Sequence, residues 1–365
     1  MTRDEILSRL IVLMRATFDD ASLAPTLRTT SDDVAEWDSA NHVLLMVAVE
    51  SEFAVRFEPD EITAPQNVGE LVDLIHGKLG GRAQAMKTPL NVLLFGGCLL
   101  RRPLRSVPNL ESKLDRTRYG RIRVVHSFAE MIQVVEFLRG RKEVPQALRR
   151  LTGIAPETAP MPNAVDFHDI DLALIEPGSP VDIDFRGIAI NRTAIMDLLR
   201  PIERQSKEAA KLCHSWARTG VVGMDDEVRK DLGARLTALL PDDENRELRR
   251  AVLAETRAVK SDIAGGFRRM RELLGCPLGA VIFIFRYMPD GRPIVWPAGS
   301  RDEVIRAAEG LGLPTFEPTS MVQEYGVEAA LEKDMQHYSE AFLPVVGAAI
   351  VRFAQDVYAR AAAEG

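Results

Sequence analysis

The chain has 365 residues, 46% of them hydrophobic and 27% charged, with a formal net charge of −7. That length exceeds one ordinary domain, and the composition is that of a globular protein with enough apolar side chains for a sizeable core. A disordered chain is excluded, and so is the concentrated positive face that a nucleic-acid backbone requires of its main partner.

The acidity is concentrated at one end. Residues 1–80 hold 15 acidic against 6 basic side chains, while the remainder holds 38 against 40. An acidic module of this size suits docking on basic protein surfaces. The opening residues, Met-Thr-Arg-Asp-Glu-Ile-Leu-Ser-Arg-Leu, lack the basic n-region and apolar core of a secretory signal, and no apolar run approaches the roughly 20 residues that span a bilayer. A cytoplasmic protein without a membrane span is the expectation. Cys98, Cys213 and Cys276 are odd in number and far apart, which argues against a disulfide framework and a Cys-x-x-Cys metal site.

In chain order, the first elements are helical. Residues 3–18 place Ile6, Leu10, Leu13 and Phe18 on one face. The stretch after Asp38-Ser39 repeats the pattern with Val43, Val47 and Phe53, and residues 63–79 add a third helix with Val68, Leu71, Leu74 and Ile75 inward. Pro25, Pro59 and Pro65 fall in the connections, so residues 1–80 read as a small helical bundle. Ser39 begins the second helix, either as a cap through its own oxygen or as a point of attachment exposed near the positive end of the helix dipole.

The order Asp38-Ser39 at a helix start, Glu50-x-Glu52-Phe53 at its end, the Phe-Glu-Pro-Asp-Glu-Ile turn and a closing amphipathic helix resembles an acyl carrier protein. The resemblance implies a 4′-phosphopantetheine arm on Ser39, added by a phosphopantetheinyl transferase and charged by an acyl-loading enzyme or synthase. Ala40 stands where that family usually has Leu.

Residues 81–88 read as a polar linker without apolar periodicity, and an α/β domain is expected over 89–365. Residues 90–95 form a buried parallel strand ended by Gly96-Gly97; further strands are expected within 120–128, 169–177, 279–287 and 313–320, separated by helices at 128–140 and 300–312. Strands alternating with helices predict a parallel sheet covered on both faces. A long Arg-, Glu-, Leu- and Ala-rich stretch, about 193–275, reads as a helical insertion that caps the site.

Open α/β sheets place ligands at the carboxyl ends of their strands. Cys98 follows the first strand and its Gly-Gly turn, the position of a nucleophile held above a sheet. Late in the chain Asp334 and His337 stand three apart, a spacing that lets a carboxylate orient an imidazole toward a nucleophile brought in by the fold. Gly-Gly-Cys and Asp-Met-Gln-His-Tyr together resemble the SGNH/GDSL hydrolases, with Cys98 at the serine position as in the GSCFA-like branch. The resemblance implies a flavodoxin-like parallel sheet for the second domain, Cys98 as nucleophile, His337 as base and Asp334 as its orienting acid. The family's Gly-x-Asn-Asp block is not evident, which leaves Gly97, Ser179 and Asn191 as oxyanion candidates.

Packing is the plainer reading for Cys213 and Cys276, and solvated charge for Arg101 and Arg102. His42, His76, His126 and His168 have no partner legible in the sequence, and His214 beside Trp216 reads as an amphipathic helix surface. No phosphate loop and no His or Cys cluster at metal-ligand spacing is present. Joined, the two resemblances imply an acyltransferase or thioesterase that moves an acyl group from its own phosphopantetheine thioester through Cys98 to an alcohol, an amine, a glycan or water. The alternatives are a carrier or docking protein with a silent α/β domain, and an ordinary esterase with an unmodified carrier-like module.

Overall fold

In a computed structural model the protein is described over residues 1–53, 55–57, 61–62, 64–80, 89–115, 122–160, 169–284, 286–294 and 299–364. The expected linker at 81–88, residues 58–60 of the Phe-Glu-Pro-Asp-Glu-Ile turn, and His168 lie outside the described residues.

Helices α1 (Arg3–Thr17), α2 (Ser39–Phe53) and α3 (Val68–Gly80) build the first unit. Reciprocal bonds start α1: the Thr2 hydroxyl accepts from the Glu5 N–H, and the Glu5 carboxylate accepts from the Thr2 N–H at 2.7 Å. The core unites Ile6, Leu10 and Met14 of α1, Leu45, Met46, Val49 and Phe53 of α2, and Val68, Leu71, Val72 and Ile75 of α3. This corrects the expected register on α2, where Val43 is 41% exposed and Val47 turns toward the second unit. An apolar run that covers most of a helix's circumference conceals which face is inward when the helix has two partners.

The second unit is organised by five parallel strands: β1 (Leu90–Phe95), β2 (Leu114–Asp115), β3 (Leu172–Ile175), β7 (Leu278–Val281) and β10 (Thr315–Phe316). Their spatial order is β2-β1-β3-β7-β10. Register pairs Val92 with Leu172, Ala173 with Leu278 and Thr315 with Ala280. The strand expected within 120–128 does not form among its described residues, 122–128, where Ile122 makes an isolated bridge, and an edge strand forms at Leu114–Asp115. A capping box explains where that stretch goes instead, because Ser127 and Glu130 cap each other's backbone N–H and start α5 (Phe128–Leu138).

Sheet order and crossover handedness place the helices. α4 (Cys98–Arg105) crosses from β1 to β2, whereas α5 crosses back, so right-handed connections put them on opposite faces. α10 (Ile263–Leu274) and α11 (Ser300–Gly310) continue the row begun by α5, and α12 (Leu343–Glu364) returns to pack on α4. Phe128 and Phe267 close the α5–α10 contact edge to face, with ring centroids 4.8 Å apart.

The insertion has different limits from those expected. It opens with β4 (Val181–Phe185) and β5 (Ile188–Ala189) and closes with β6 (Arg257–Lys260), all in one antiparallel sheet. Between them lie α6 (Arg192–Glu203), α7 (Lys207–Ser215), a π-helical segment at Trp216–Val222, α8 (Asp226–Thr237) and α9 (Arg246–Glu255). α10, counted as insertion from its composition, belongs to the helix row on the main sheet.

The two units meet along α2 and α12. Leu44 and Val47 pack against the second unit's core, and Arg352 reaches back to Glu50 at 2.8 Å, with side chains only 20% and 9% exposed. Arg56 pairs with Asp356, and the Lys113 ammonium donates to the Ser51 hydroxyl at 2.8 Å. Arg352→Met leaves the buried Glu50 carboxylate without its cation, so thermal unfolding should lose about 3 kcal/mol. Adding Glu50→Gln in the same chain should recover most of it; a single variant as stable as wild type would show that the pair does not hold the units together.

Candidate functional site

Close packing at the end of the first strand positions Cys98. Gly96 and Gly97 follow β1, and a Cβ at Gly96 would stand 2.7 Å from the Glu176 Cβ and 2.8 Å from its Oε2. Glycine is therefore the residue that lets the turn descend onto the end of β3. The Gly97 N–H donates to Glu176 Oε2 at 2.6 Å, and Cys98 then opens α4 at the carboxyl end of β1.

The late block reaches Cys98 through a folded loop. Leu331 and Tyr338 bridge, the Glu332 N–H donates to the His337 carbonyl at 2.7 Å, and Met335 takes a left-handed φ of 58° at the tip. Asp334 Oδ1 accepts from the N–H groups of Gln336 and His337 at 2.9 and 3.0 Å, while its Oδ2 lies 2.5 Å from His337 Nδ1. His337 Nε2 lies 3.4 Å from Cys98 Sγ. Arg102, one turn along α4 from Cys98, pairs with Glu332 at 2.8 Å and Glu340 at 2.7 Å and thereby clasps this loop to α4. That clasp is absent from the sequence reading of Arg102, because its partners are more than 200 residues away.

The electrostatics fit a base-assisted thiol. Desolvation is the largest influence on Cys98 and, with the Glu176 carboxylate, raises its pKa above that of an ordinary thiol; the N–H groups of Cys98 and Leu99 and the Arg102 guanidinium pull the other way. Asp334 is desolvated too, yet the N–H and ring of His337 and the N–H of Gln336 hold it down to about 2. It is thus a carboxylate throughout the physiological range and keeps the imidazole's far nitrogen turned to the sulfur. Burial pushes Glu176 up to about 7 against the opposing Gly97 N–H and Arg101. Glu176 was missed in the sequence; its only signal there is its place immediately after a buried strand.

The three oxyanion candidates are otherwise engaged. Asn191 caps α6, accepting from the Thr193 and Ala194 N–H groups, and its amide donates to Glu130 Oε2 at 2.7 Å and the Val124 carbonyl at 3.3 Å. The Ser179 hydroxyl donates to the Val181 carbonyl at 2.7 Å, and the Gly97 N–H is held by Glu176. The first-turn N–H groups of Cys98 and Leu99, which no intrahelical carbonyl satisfies, face the sulfur instead.

A cleft of about 250 Å³ opens beside Cys98, walled by His126, Ser179, Phe283 and Gln336 and, from the insertion, by Arg192 and Val222. The insertion therefore forms one side of the cleft. Cys213 and Cys276 are buried and pushed up to about 11 and 12 by desolvation, which fits packing. His214 pairs with Glu203 at 2.8 Å on the helical surface. The donor atoms of Glu332, Asp334 and His337 lie within 4.8 Å of one another, a set able to hold a metal ion, but Arg102 already answers Glu332 and the imidazole is shared between Asp334 and Cys98.

In the first unit, Ser39 is the opening residue of α2 and Asp38 is the cap: its Oδ1 accepts from the Asn41 N–H at 2.8 Å, and its carbonyl accepts from the His42 N–H. His42 acquires partners invisible in the sequence. Its Nδ1 accepts from the Trp37 indole at 3.0 Å, so its Nε2 carries the proton and donates to the Ile62 carbonyl at 2.8 Å. The ring stack with Trp37 fixes the approach to the helix start.

Residues 90–353 match the family described as the TviD N-terminal domain. Among solved structures, a match is the solution NMR structure of a holo acyl carrier protein from Geobacter metallireducens, 36% identical, covering 21% of this chain and 87% of that one, with a TM-score of 0.20. No curated protein matches the chain. No helix among the described residues is long and apolar enough to cross a membrane.

Iodoacetamide alkylation of Cys98 should rise with pH to a midpoint above that of an ordinary thiol. Glu176→Gln should lower the midpoint, because it removes the carboxylate whose charge, present above about pH 7, opposes the thiolate. Peptide mapping by mass spectrometry reads both, and an unmoved midpoint in the variant would show that the two groups are not coupled.

Proposed function

Because the chain belongs to the TviD N-terminal domain family over residues 90–353, we propose that this family's α/β unit acts here on acyl groups delivered by the helical unit fused to it. The observation that carries the reading is the line Asp334–His337–Cys98, at 2.5 and 3.4 Å, above the carboxyl end of β1. An SGNH-type domain is supported by the strand order β2-β1-β3-β7-β10, which is the flavodoxin-like 2-1-3-4-5 order, and by a nucleophile after the first strand with Asp-x-x-His ahead of the last helix. The carrier reading is supported by Asp38-Ser39 at the start of α2, the three-helix core and the acidity of residues 1–80.

In this reading Ser39 bears 4′-phosphopantetheine, whose thiol holds the acyl group as a thioester. His337 Nε2 takes the proton of Cys98 and the thiolate attacks the thioester carbonyl carbon. The new carbon–sulfur bond to Cys98 replaces the old one, and His337 would return its proton to the departing sulfur. An acceptor hydroxyl or amine then attacks the acyl-Cys98 carbonyl, gives its proton to His337 and leaves with the acyl group, while Cys98 regains a proton; water as acceptor yields a free acid. Exchange of one thioester for another is nearly neutral in free energy, so the nucleophile adds no thermodynamic barrier. Tethering through residues 81–88 makes delivery intramolecular, with effective concentrations on the order of millimolar.

A second reading, a docking protein whose α/β unit performs no chemistry, is favoured by one observation: Gly97, Ser179 and Asn191 have no free donor to offer an oxyanion. Intact-mass analysis separates the two after incubation with a broad-specificity phosphopantetheinyl transferase and butyryl-coenzyme A. Wild type should gain the arm and turn over its acyl group, Ser39→Ala should gain nothing, and Cys98→Ala should hold the acyl group on the arm. His337→Asn should slow turnover roughly 10²- to 10⁴-fold, the range of a positioned general base. Equal persistence of the acyl group in wild type and Cys98→Ala, with hydroxyl and amine acceptors present, would favour the silent domain; absence of the arm would refute the carrier.

A further inference from the structure

His126 belongs to no part of the proposed proton path, yet it lines the Cys98 cleft. Its ring is wedged into the turn that carries the nucleophile: a Cβ at Gly97 would stand 3.1 Å from its Cε1, and one at Gly178 would stand 3.3 Å from its Nδ1. The carbonyl of His126 accepts from both the Gly178 and Ser179 N–H groups at 2.9 Å, which anchors its backbone. Among the described residues neither ring nitrogen is hydrogen-bonded to another group, and the half-buried ring lines the cleft.

We propose that His126 is a catalytic residue of the acyl-transfer reaction, whose ring N–H, together with the N–H groups of Cys98 and Leu99, binds the oxyanion formed when Cys98 attacks the thioester. The inference rests on the acyl-transfer reading and supplies what that reading lacks, a side-chain donor in the place where Asn191 and Ser179 are committed elsewhere. Desolvation, with Arg192 nearby, lowers the pKa of His126 to about 4, so the ring is neutral at physiological pH. Of the groups around it, Arg192 opposes a charge on the ring, whereas the nearby carboxyls of Glu130 and Glu176 would favour one but are themselves pushed up to about 7 by burial. A neutral imidazole can donate to a carbonyl that becomes an oxyanion without bringing a second acidic proton into competition with His337. In the step itself the carbonyl π electrons move to oxygen as the Cys98 sulfur–carbon bond forms, and they return when the bond to the leaving group breaks. His126 keeps its proton throughout.

The test uses the full chain and para-nitrophenyl butyrate, following nitrophenolate release and the mass of butyryl-Cys98. His126→Phe keeps a ring of similar shape without a donor and should slow acylation about a hundredfold, the scale for loss of one oxyanion donor. His126→Gln, which restores an N–H, should recover part of the rate. Iodoacetamide alkylation of Cys98 against pH should be the same in all three proteins, because alkylation forms no oxyanion. Acylation by His126→Phe at the wild-type rate would overturn the assignment. So would a loss matched by an altered alkylation profile, which would make His126 a positioning residue for the Cys98–His337 pair. If wild type itself alkylates at Cys98 but never carries butyrate there, the acyl-transfer reading fails first and takes this one with it.

Discussion

The approach of Gly96 to Glu176, so close that a single added Cβ would lie 2.7 Å from the carboxylate-bearing side chain, is the contact on which the geometry of the site depends. It brings the end of β1 down onto the end of β3 and turns the chain so that α4 begins on Cys98. The Glu176 carboxyl then takes the Gly97 N–H, leaving the next two N–H groups directed at the sulfur. One small-residue turn thus determines where Cys98 stands, which backbone donors surround it and how much its thiolate is opposed. Burying a carboxyl there is costly. Its pKa of about 7 means that it contributes stability most fully below the ordinary carboxylate pKa and loses that contribution as pH rises through about 7.

α12 connects this turn to the rest of the molecule. It packs on α4, touches β3 and β7 of the sheet, and receives α2 of the helical unit on another side. The Gly347 backbone lies so near Pro103 of α4 that a Cβ would come within 2.3 Å of the Pro103 carbonyl oxygen. The helix that seats the first unit therefore also seats α4, the helix that opens on Cys98. Arg352 and Glu50 set the register of the first contact, and close backbone packing sets the second.

Charge around Cys98 is divided between walls that oppose a thiolate and a clasp that supports it. Burial and Glu176 push the Cys98 thiol up, while Asp334 holds the His337 ring so that its Nε2 lies 3.4 Å from the sulfur. Arg102 contributes mainly through position. Its two carboxylate partners flank the Asp334–His337 loop, and exposed pairs of this kind contribute little stability individually, so their value lies in fixing a loop whose hydrogen bonds converge on one imidazole.

The reading from residues alone anticipated the helical unit, strands β1, β3, β7 and β10, and the separate blocks that hold Cys98 and Asp334-x-x-His337, since periodicity and short spacing are local properties of a chain. It did not reveal the edge strand at Leu114–Asp115, because a two-residue strand has no period and is made by pairing with Leu90 and Asn91. It misplaced α2's inner face and the end of the insertion for a related reason: Val47 and α10 are apolar toward partners that only folding brings near. The same limit applied within the site. Asn191 has the right chemistry for an oxyanion donor, but its amide is consumed by Glu130, 61 residues away. His126 had no legible partner because what surrounds it, Gly97, Gly178 and Arg192, comes from three separate segments. The sequence by itself determined which elements form and which reactive groups are available; tertiary structure decided which of those groups are spent on one another and which still face the cleft, because hydrogen bonds and burial between distant segments exist only once the sheet has assembled.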